Sequence, residues 1–339
     1  MISFGDMTEA FKAKKIPSYR VKQIFHAIYK EGVSDYRAIK ILPEDLREML
    51  AKDFPIFPFS VTREVISKNG VTVKTLFKLS DGNLVEGVLM RFADGRNSVC
   101  VSSQVGCGLK CAFCATGTMG LTRSLTASEI ADQVLYFDQY LKKYKSRVSH
   151  VIFMGMGEPL LNYDNVLAAV RTLNDPQCLE IAIRHITIST SGIIPSIEKL
   201  ADEPLQVNLA LSIHAPNQEL RSKLMPIAKA YKLPDLIAAI ELYIAKTHRR
   251  ISYEYVMLKN INDTPELARE LAVLIKGQRC HVNLIPYNET YLGFSNAGKS
   301  RIDNFKKVLE SFEIPVTVRV SLGKDINAAC GQLATKEPR

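Results

Sequence analysis

The chain of 339 residues has no tryptophan, only six histidines, and nothing near the ~18 uninterrupted apolar residues of a membrane helix. Its start, Met1 to Lys15, lacks the apolar core of a signal peptide, so the expected location is the cytoplasm, with no membrane contact. Internal repeats, low-complexity tracts and long linkers are absent, which excludes solenoids and linker-rich assemblies. Cysteine is scarce and odd in number: seven residues, without a secretion signal, argue against a disulfide framework and for reduced thiols used as ligands or nucleophiles. Acid is outnumbered by base. A formal charge of +9 and a hydrophobic fraction of 47% describe a globular protein with an ample core and a polyanionic partner. Single basic clusters, such as Lys12 to Lys15 or Arg249-Arg250, are interleaved with acids and read mostly as solvated faces.

What stands in place of a disulfide framework is one tight run, Cys107-Gly-Leu-Lys-Cys111-Ala-Phe-Cys114, spaced CxxxCxxC. Iron–sulfur clusters usually take four cysteine thiolates, so three from one loop leave an iron open to a ligand that is not protein. A structural zinc loop is the plainer alternative, yet zinc ribbons add a second CxxC or an HxxxH. Here Cys100, Cys178, Cys280 and Cys330 stand alone. The spacing resembles that of the radical S-adenosylmethionine (SAM) enzymes. That resemblance implies a 4Fe-4S cluster whose fourth iron is chelated by SAM, and a reduction that splits SAM to a 5′-deoxyadenosyl radical.

Residues 1–55 read as a helical accessory domain: Tyr19, Val21, Ile24, Phe25, Ile28 and Tyr29 recur at helical spacing, and Leu42-Pro43 opens a helix through Leu50. Residues 56–98 read as a β-rich connector, with antiparallel strands at 60–66, 72–79 and 84–91 and turns at Asn69-Gly70 and Asp81-Gly82. From 99 to 320 apolar runs at Val99–Ser102, Val148–Met154, His185–Ser189, Val207–Ile213, Ile251–Leu258 and His281–Pro286 alternate with helical stretches. That rhythm predicts an α/β fold, a partial (β/α)6 barrel of parallel strands. Residues 321–339 form a Gly-flanked, loose-looking C-terminal tail.

In such barrels the site forms at the carboxyl ends of the strands. The second run ends in Met154-Gly-Met-Gly157-Glu158-Pro159, where glycines allow close backbone approach and a carboxylate can accept from an ammonium group. Later runs end in Ser189-Thr-Ser-Gly, Ser212-Ile213-His214-Ala-Pro-Asn and Asn283-Leu-Ile-Pro-Tyr-Asn288. Each delivers small polar groups to one rim.

Together with Cys100-Val-Ser-Ser-Gln-Val-Gly-Cys107 and Asp325-Ile-Asn-Ala-Ala-Cys330-Gly-Gln-Leu, these segments resemble the RlmN-type RNA adenine C2 methyltransferases from about Tyr19 to Leu333. The resemblance implies that Cys107, Cys111 and Cys114 hold the cluster, and that Gly157, Glu158, Ser189, Ser212, Ile213, His214 and Asn288 contact SAM. It makes Cys330 a methyl carrier, Cys100 its partner thiol and Glu86 a candidate general base, with an exposed sheet glutamate as the plainer account of Glu86. Cys178 and Cys280 read as ordinary buried small hydrophobes.

In that family an adenine C2 carbon, which is not nucleophilic, is methylated by way of a thiolate-borne methyl. A radical removes hydrogen from it, the S–CH2 radical adds to the ring, and a second thiolate breaks the thioether. Two SAM are consumed per methylation. The implied substrates are an adenine of 23S ribosomal RNA and the adenine next to the anticodon in tRNA. The implied electron donor is a reductase such as flavodoxin or ferredoxin, and the implied state is a monomer whose basic helical domain docks RNA. Cfr-like relatives that methylate adenine C8 share nearly all these motifs, and Pro159 favours C2. A non-catalytic iron–sulfur RNA-binding or redox-sensing protein would instead need four protein ligands. One departure from the family is the short segment between Asn288 and Arg301.

Overall fold

The computed structural model describes residues 4–334. Three helices lead: α1 (Phe4–Ala13), α2 (Tyr19–Phe25), which runs on through a π-helical turn at His26–Glu31, and α3 (Glu44–Asp53). Val21, Ile24, Phe25 and Ile28 recur at three- and four-residue steps, so one face of α2 and its extension is apolar and buried. It packs into the same hydrophobic cluster that runs under the sheet and most of its helices, while a smaller cluster with Phe113, Leu224 and Tyr287 lies beside the cysteine loop.

Three antiparallel strands follow, β1 (Phe59–Ile66), β2 (Thr72–Leu79) and β3 (Leu84–Arg91), joined where Gly70 and Gly82 supply the positive φ that tight turns need. β3 then pairs antiparallel with β4 (Asn97–Cys100). The antiparallel extension is therefore the flank of the main sheet. A separate two-stranded hairpin, β5 (Gln104–Cys107) and β6 (Gly120–Ser124), interrupts the chain before α4 (Ala127–Lys142).

Five further strands, β7 (His150–Phe153), β8 (Ile186–Thr190), β9 (Asn208–Ser212), β10 (Ile251–Met257) and β11 (Cys280–Pro286), extend the sheet from β4, all parallel. All six apolar runs anticipated from sequence are strands. Both faces of a parallel sheet are covered, which is why they read as nearly continuous apolar runs. The crossovers carry α4, α5 (Tyr163–Asn174), α6 (Ile194–Ala201), α7 (Gln218–Leu224), α8 (Leu233–Thr247), α9 (Pro265–Leu274) and, after β11, α10 (Lys299–Ser311). Prolines in the first turn start α6, α8 and α9, where a missing N–H costs nothing. A capping box starts α4: Thr126 Oγ1 accepts the Glu129 N–H at 3.2 Å and Glu129 Oε2 accepts the Thr126 N–H at 2.9 Å. A short parallel strand that sequence did not disclose, β12 (Val316–Val318), closes the order β1-β2-β3-β4-β7-β8-β9-β10-β11-β12.

Candidate active site

The carboxyl ends of the parallel strands, the loop after β5 and the C-terminal tail enclose one cavity, about 990 Å³ counting its open mouth. Cys107, Cys111 and Cys114 all line it. The β5–β6 hairpin brackets their loop, and Gly106, at φ +75, lies where a Cβ would meet the Gly120 carbonyl oxygen at 1.9 Å. Cys114 N–H donates to Cys111 O at 3.1 Å, and Ala112 N–H donates to Leu224 O at 2.9 Å, fixing the loop to the end of α7.

Burial pushes the Cys107 thiol up to about 11, with Cys114 and Glu158 adding and the Leu109 N–H opposing. Burial pushes Cys111 up as well, helped by Cys114 and Cys107. Thiols that burial keeps protonated fit ligands that a metal must deprotonate. Among the described residues no three His, Cys, Asp or Glu side chains close around one point as the ligands of a single ion do. Ligands of a 4Fe-4S cluster bind different irons and need only face a common space.

Beside the loop, the end of β7 is pressed down onto β4 and β5. A Cβ on Gly155 would lie 2.5 Å from Val101 O, and one on Gly157, at φ +100, 2.6 Å from Gln104 Cβ. The buried Glu158 carboxylate accepts N–H bonds from Ser191 at 2.7 Å and Leu160 at 3.1 Å while lining the cavity. Burial raises its pKa and those hydrogen bonds oppose the rise.

Ser189 and Ser212 line the cavity at the ends of β8 and β9. His214 is buried edge-on to Phe113, and its Nδ1 accepts the Val256 N–H at 3.0 Å, which places the proton on Nε2. Burial, then the Arg221 charge, bring its pKa down to about 3, so it is a neutral donor. Ile213 lies in the core and does not line the cavity; its backbone N–H donates to Glu254 O at 3.1 Å. Asn288 Nδ2 donates to Cys330 O at 3.2 Å, whereas its Oδ1 is buried without a partner. Glu254 Oε2, in the same cavity, accepts no hydrogen bond, its nearest cation being Arg319 Nη1 at 3.9 Å. Two acceptors without a hydrogen bond in the cavity of the cysteine loop fit a ligand rich in donors, as the amino and ribose groups of SAM are.

Cys330 lines this cavity and also a smaller one behind it, shared with Cys100, Met154 and Arg319. Its thiol is open to these spaces yet surrounded by protein. Burial, then Cys330, push Cys100 up to about 12, and Arg319 pulls it down. Burial raises Cys330 too, against Arg319. The tail that looked loose in sequence is pinned as far as it is described: Ala115 N–H donates to Gly331 O at 2.9 Å, Thr116 Oγ1 to Leu333 O at 2.6 Å and Gln332 Nε2 to Glu289 O at 2.9 Å. Glu289 belongs to the short segment after Asn288, so that segment still holds the tail.

Glu86 is not brought into this group. It is buried in β3, pairs with Lys74 Nζ at 3.0 Å and lines neither cavity. Its burial also removes the account of it as an exposed sheet glutamate. Three charged residues went unread in the sequence: Glu254, Arg319 and Arg221. Glu254 carried a signal, a carboxylate in the middle of an apolar parallel strand. Arg319 Nη1 lies 3.9 Å from Glu254 Oε2 and 3.2 Å from Met154 Sδ. Nothing in its neighbours along the chain marks it out.

A run of parallel βα units with a three-cysteine loop soon after the first of their strands is the architecture of a radical SAM enzyme, and residues 101–272 match the Radical SAM superfamily. The cofactors are accordingly a 4Fe-4S cluster and SAM. The chain is 46% identical over 340 residues to the probable dual-specificity RNA methyltransferase RlmN of Symbiobacterium thermophilum, covering 100% of this chain and 91% of that one. A similar RlmN of Bacillus thuringiensis is 46% identical over 337 residues, with 99% and 92% covered. The crystal structure of a radical SAM methyltransferase from Sphaerobacter thermophilus superposes with a TM-score of 0.96 at 45% identity, covering 99% of this chain and 98% of that one. The chain belongs to the RlmN family of radical SAM RNA methyltransferases.

Proposed function

We propose that this protein methylates C2 of an adenine in 23S ribosomal RNA and of the adenine next to the anticodon in tRNA, through a methyl group carried on Cys330. The observation that supports this most is the position of Cys330, between the cavity of the cysteine loop and the cavity that holds Cys100. When bound, the cluster and SAM supply the methyl group and a hydrogen-abstracting radical, with electrons from a reductase such as flavodoxin or ferredoxin.

The chain's own residues do the rest. Cys107, Cys111 and Cys114 hold the cluster. Glu158 and the orphaned Asn288 Oδ1 accept from the amino and hydroxyl groups of SAM, and neutral His214 offers its Nε2–H. Arg319 acts on both Cys330 and Cys100, favouring the thiolate of whichever must react. The adduct formed when the S–CH2 radical adds to C2 still carries an unpaired electron and the C2 hydrogen. Once it has given one electron back to the electron carrier and lost that hydrogen as a proton, the Cys100 thiolate attacks the Cys330 sulfur. The S–C bond breaks with its electron pair on carbon, which takes a proton and becomes the new methyl. Two sulfurs are left as a disulfide that an external thiol must reduce before the next turnover. Glu86, held by Lys74 outside both cavities, takes no step in this scheme.

The test is mass spectrometry of nuclease-mapped RNA from cells that lack and then regain the gene. Methyl on adenine C2 in ribosomal and transfer RNA is the expected result. Methyl on C8, or no change in either RNA, would overturn the assignment.

A further inference from the structure

Arg221, in α7, has no exposed surface at all. Its Nη2 donates to Ser191 O at 2.6 Å and more distantly to Ser212 O at 3.4 Å, whereas Nε and Nη1 are buried without partners. Among the described residues no carboxylate forms an ion pair with it, and its helix is tied to the cysteine loop, three residues on, where Ala112 N–H donates to Leu224 O at 2.9 Å. A buried guanidinium is costly unless an anion compensates it. The protein keeps one here, beside the cysteine loop.

We infer that Arg221 is the counter-cation of the iron–sulfur cluster, a positioning residue that favours the cluster's reduced state. The inference rests on Cys107, Cys111 and Cys114 holding that cluster. An oxidised 4Fe-4S core with three thiolates carries one net negative charge and its reduced form carries two, so a fixed cation nearby stabilises the reduced form more. Net charge and burial are among the levers by which proteins set cluster potentials. SAM cleavage needs the electron, so the same charge would set how readily the enzyme is primed. Lys110, next to Cys111 in the loop, is exposed and cannot act as strongly through water.

The experiment compares anaerobically reconstituted wild type, Arg221→Met and Arg221→Lys, without SAM, by iron and sulfide content and by redox titration followed with electron paramagnetic resonance. In Arg221→Met the iron content should stay level while the reduced-to-oxidised ratio at a fixed potential falls about tenfold, or ~59 mV for a one-electron couple. Arg221→Lys keeps the charge and should stay within about twofold of wild type, a shift far smaller than tenfold on the same scale. Metal-free Arg221→Met should resist urea at least as well as metal-free wild type, because the cost of a buried charge that has no ion-pair partner in that state outweighs its bonds to the Ser191 and Ser212 carbonyls.

An unchanged potential in Arg221→Met overturns the inference. So does a variant that fails to fold or whose metal-free form unfolds more easily, the result expected if Arg221 only joins the Ser191 and Ser212 loops. Wild-type protein that holds no iron would instead remove the ligand assignment beneath it.

Discussion

Glu158 accepts two backbone N–H groups, Ser191 on Oε2 and Leu160 on Oε1, and still presents its carboxylate to the cavity. Glu158→Gln keeps the size and one acceptor, removes the negative charge opposite an ammonium and turns its NH2 toward one of those N–H groups. Charge-assisted hydrogen bonds contribute about 1.5–3 kcal/mol, so SAM affinity should fall roughly ten- to hundredfold while iron content stays level. Equilibrium dialysis of reconstituted protein measures it, and an unchanged affinity takes Glu158 out of the SAM site. At this scale the sequence was legible where spacing carries chemistry. Three cysteines within eight residues, or a Gly-Glu pair after an apolar run, have chemical meaning from their order in the chain alone. Arg221, Arg319 and Glu254 were not legible as a site, because a lone charge acquires its role from neighbours distant in the chain. Cys100 and Cys330 lie between these cases: resemblance singled them out, and only the fold puts them against a shared cavity.

Secondary-structure elements were read best where one face or both faces are buried; β1, exposed along most of its length, was read from its alternation alone. The six parallel runs and the three antiparallel strands follow from apolar runs and alternation, whereas Val316–Val318 is three residues long and partly buried to exposed, too short to leave a pattern. The docking of the tail was equally hidden, since Thr116 and Leu333 are 217 positions apart. The β5–β6 hairpin is the element on which the cysteine loop depends, and Gly106 is where it is least tolerant. Gly106→Ala would drive a Cβ into the Gly120 carbonyl, so the hairpin must open and the loop with it. Gly95 also has positive φ but faces open space, and Gly95→Ala should cost only the strain of a left-handed residue, about 1–2 kcal/mol. Iron retained per chain after reconstitution should therefore collapse in Gly106→Ala and persist in Gly95→Ala; equal retention would show that the hairpin does not position the ligands.

On the scale of the whole molecule, the proposed reaction joins residues far apart in the chain: Cys100 at the end of β4 and Cys330 in the tail. Their roles are sequential, so their losses should differ. Without Cys330 there is no carrier, and neither methylated protein nor modified RNA should form. Without Cys100 the carrier is loaded and joined to adenine, but no thiolate remains to release it. A covalent protein–RNA species should accumulate in Cys100→Ala, be absent from Cys330→Ala and from the double variant, and disappear on nuclease treatment in denaturing gels. Release should also depend on pH in one direction. Burial and the neighbouring Cys330 push Cys100 up to about 12, so below that value its thiolate is the minor form. In the adduct Cys330 carries no charge and its upward push is lost, while Arg319 still pulls down, so Cys100 is easier to ionise when it is needed. The release rate should still climb as pH rises, close to tenfold per unit over roughly pH 7 to 9, because thiolate attack tracks the ionised fraction. Rapid-quench measurement of adduct decay checks this. A rate flat across that range, or normal turnover by Cys100→Ala, would mean that another group releases the RNA.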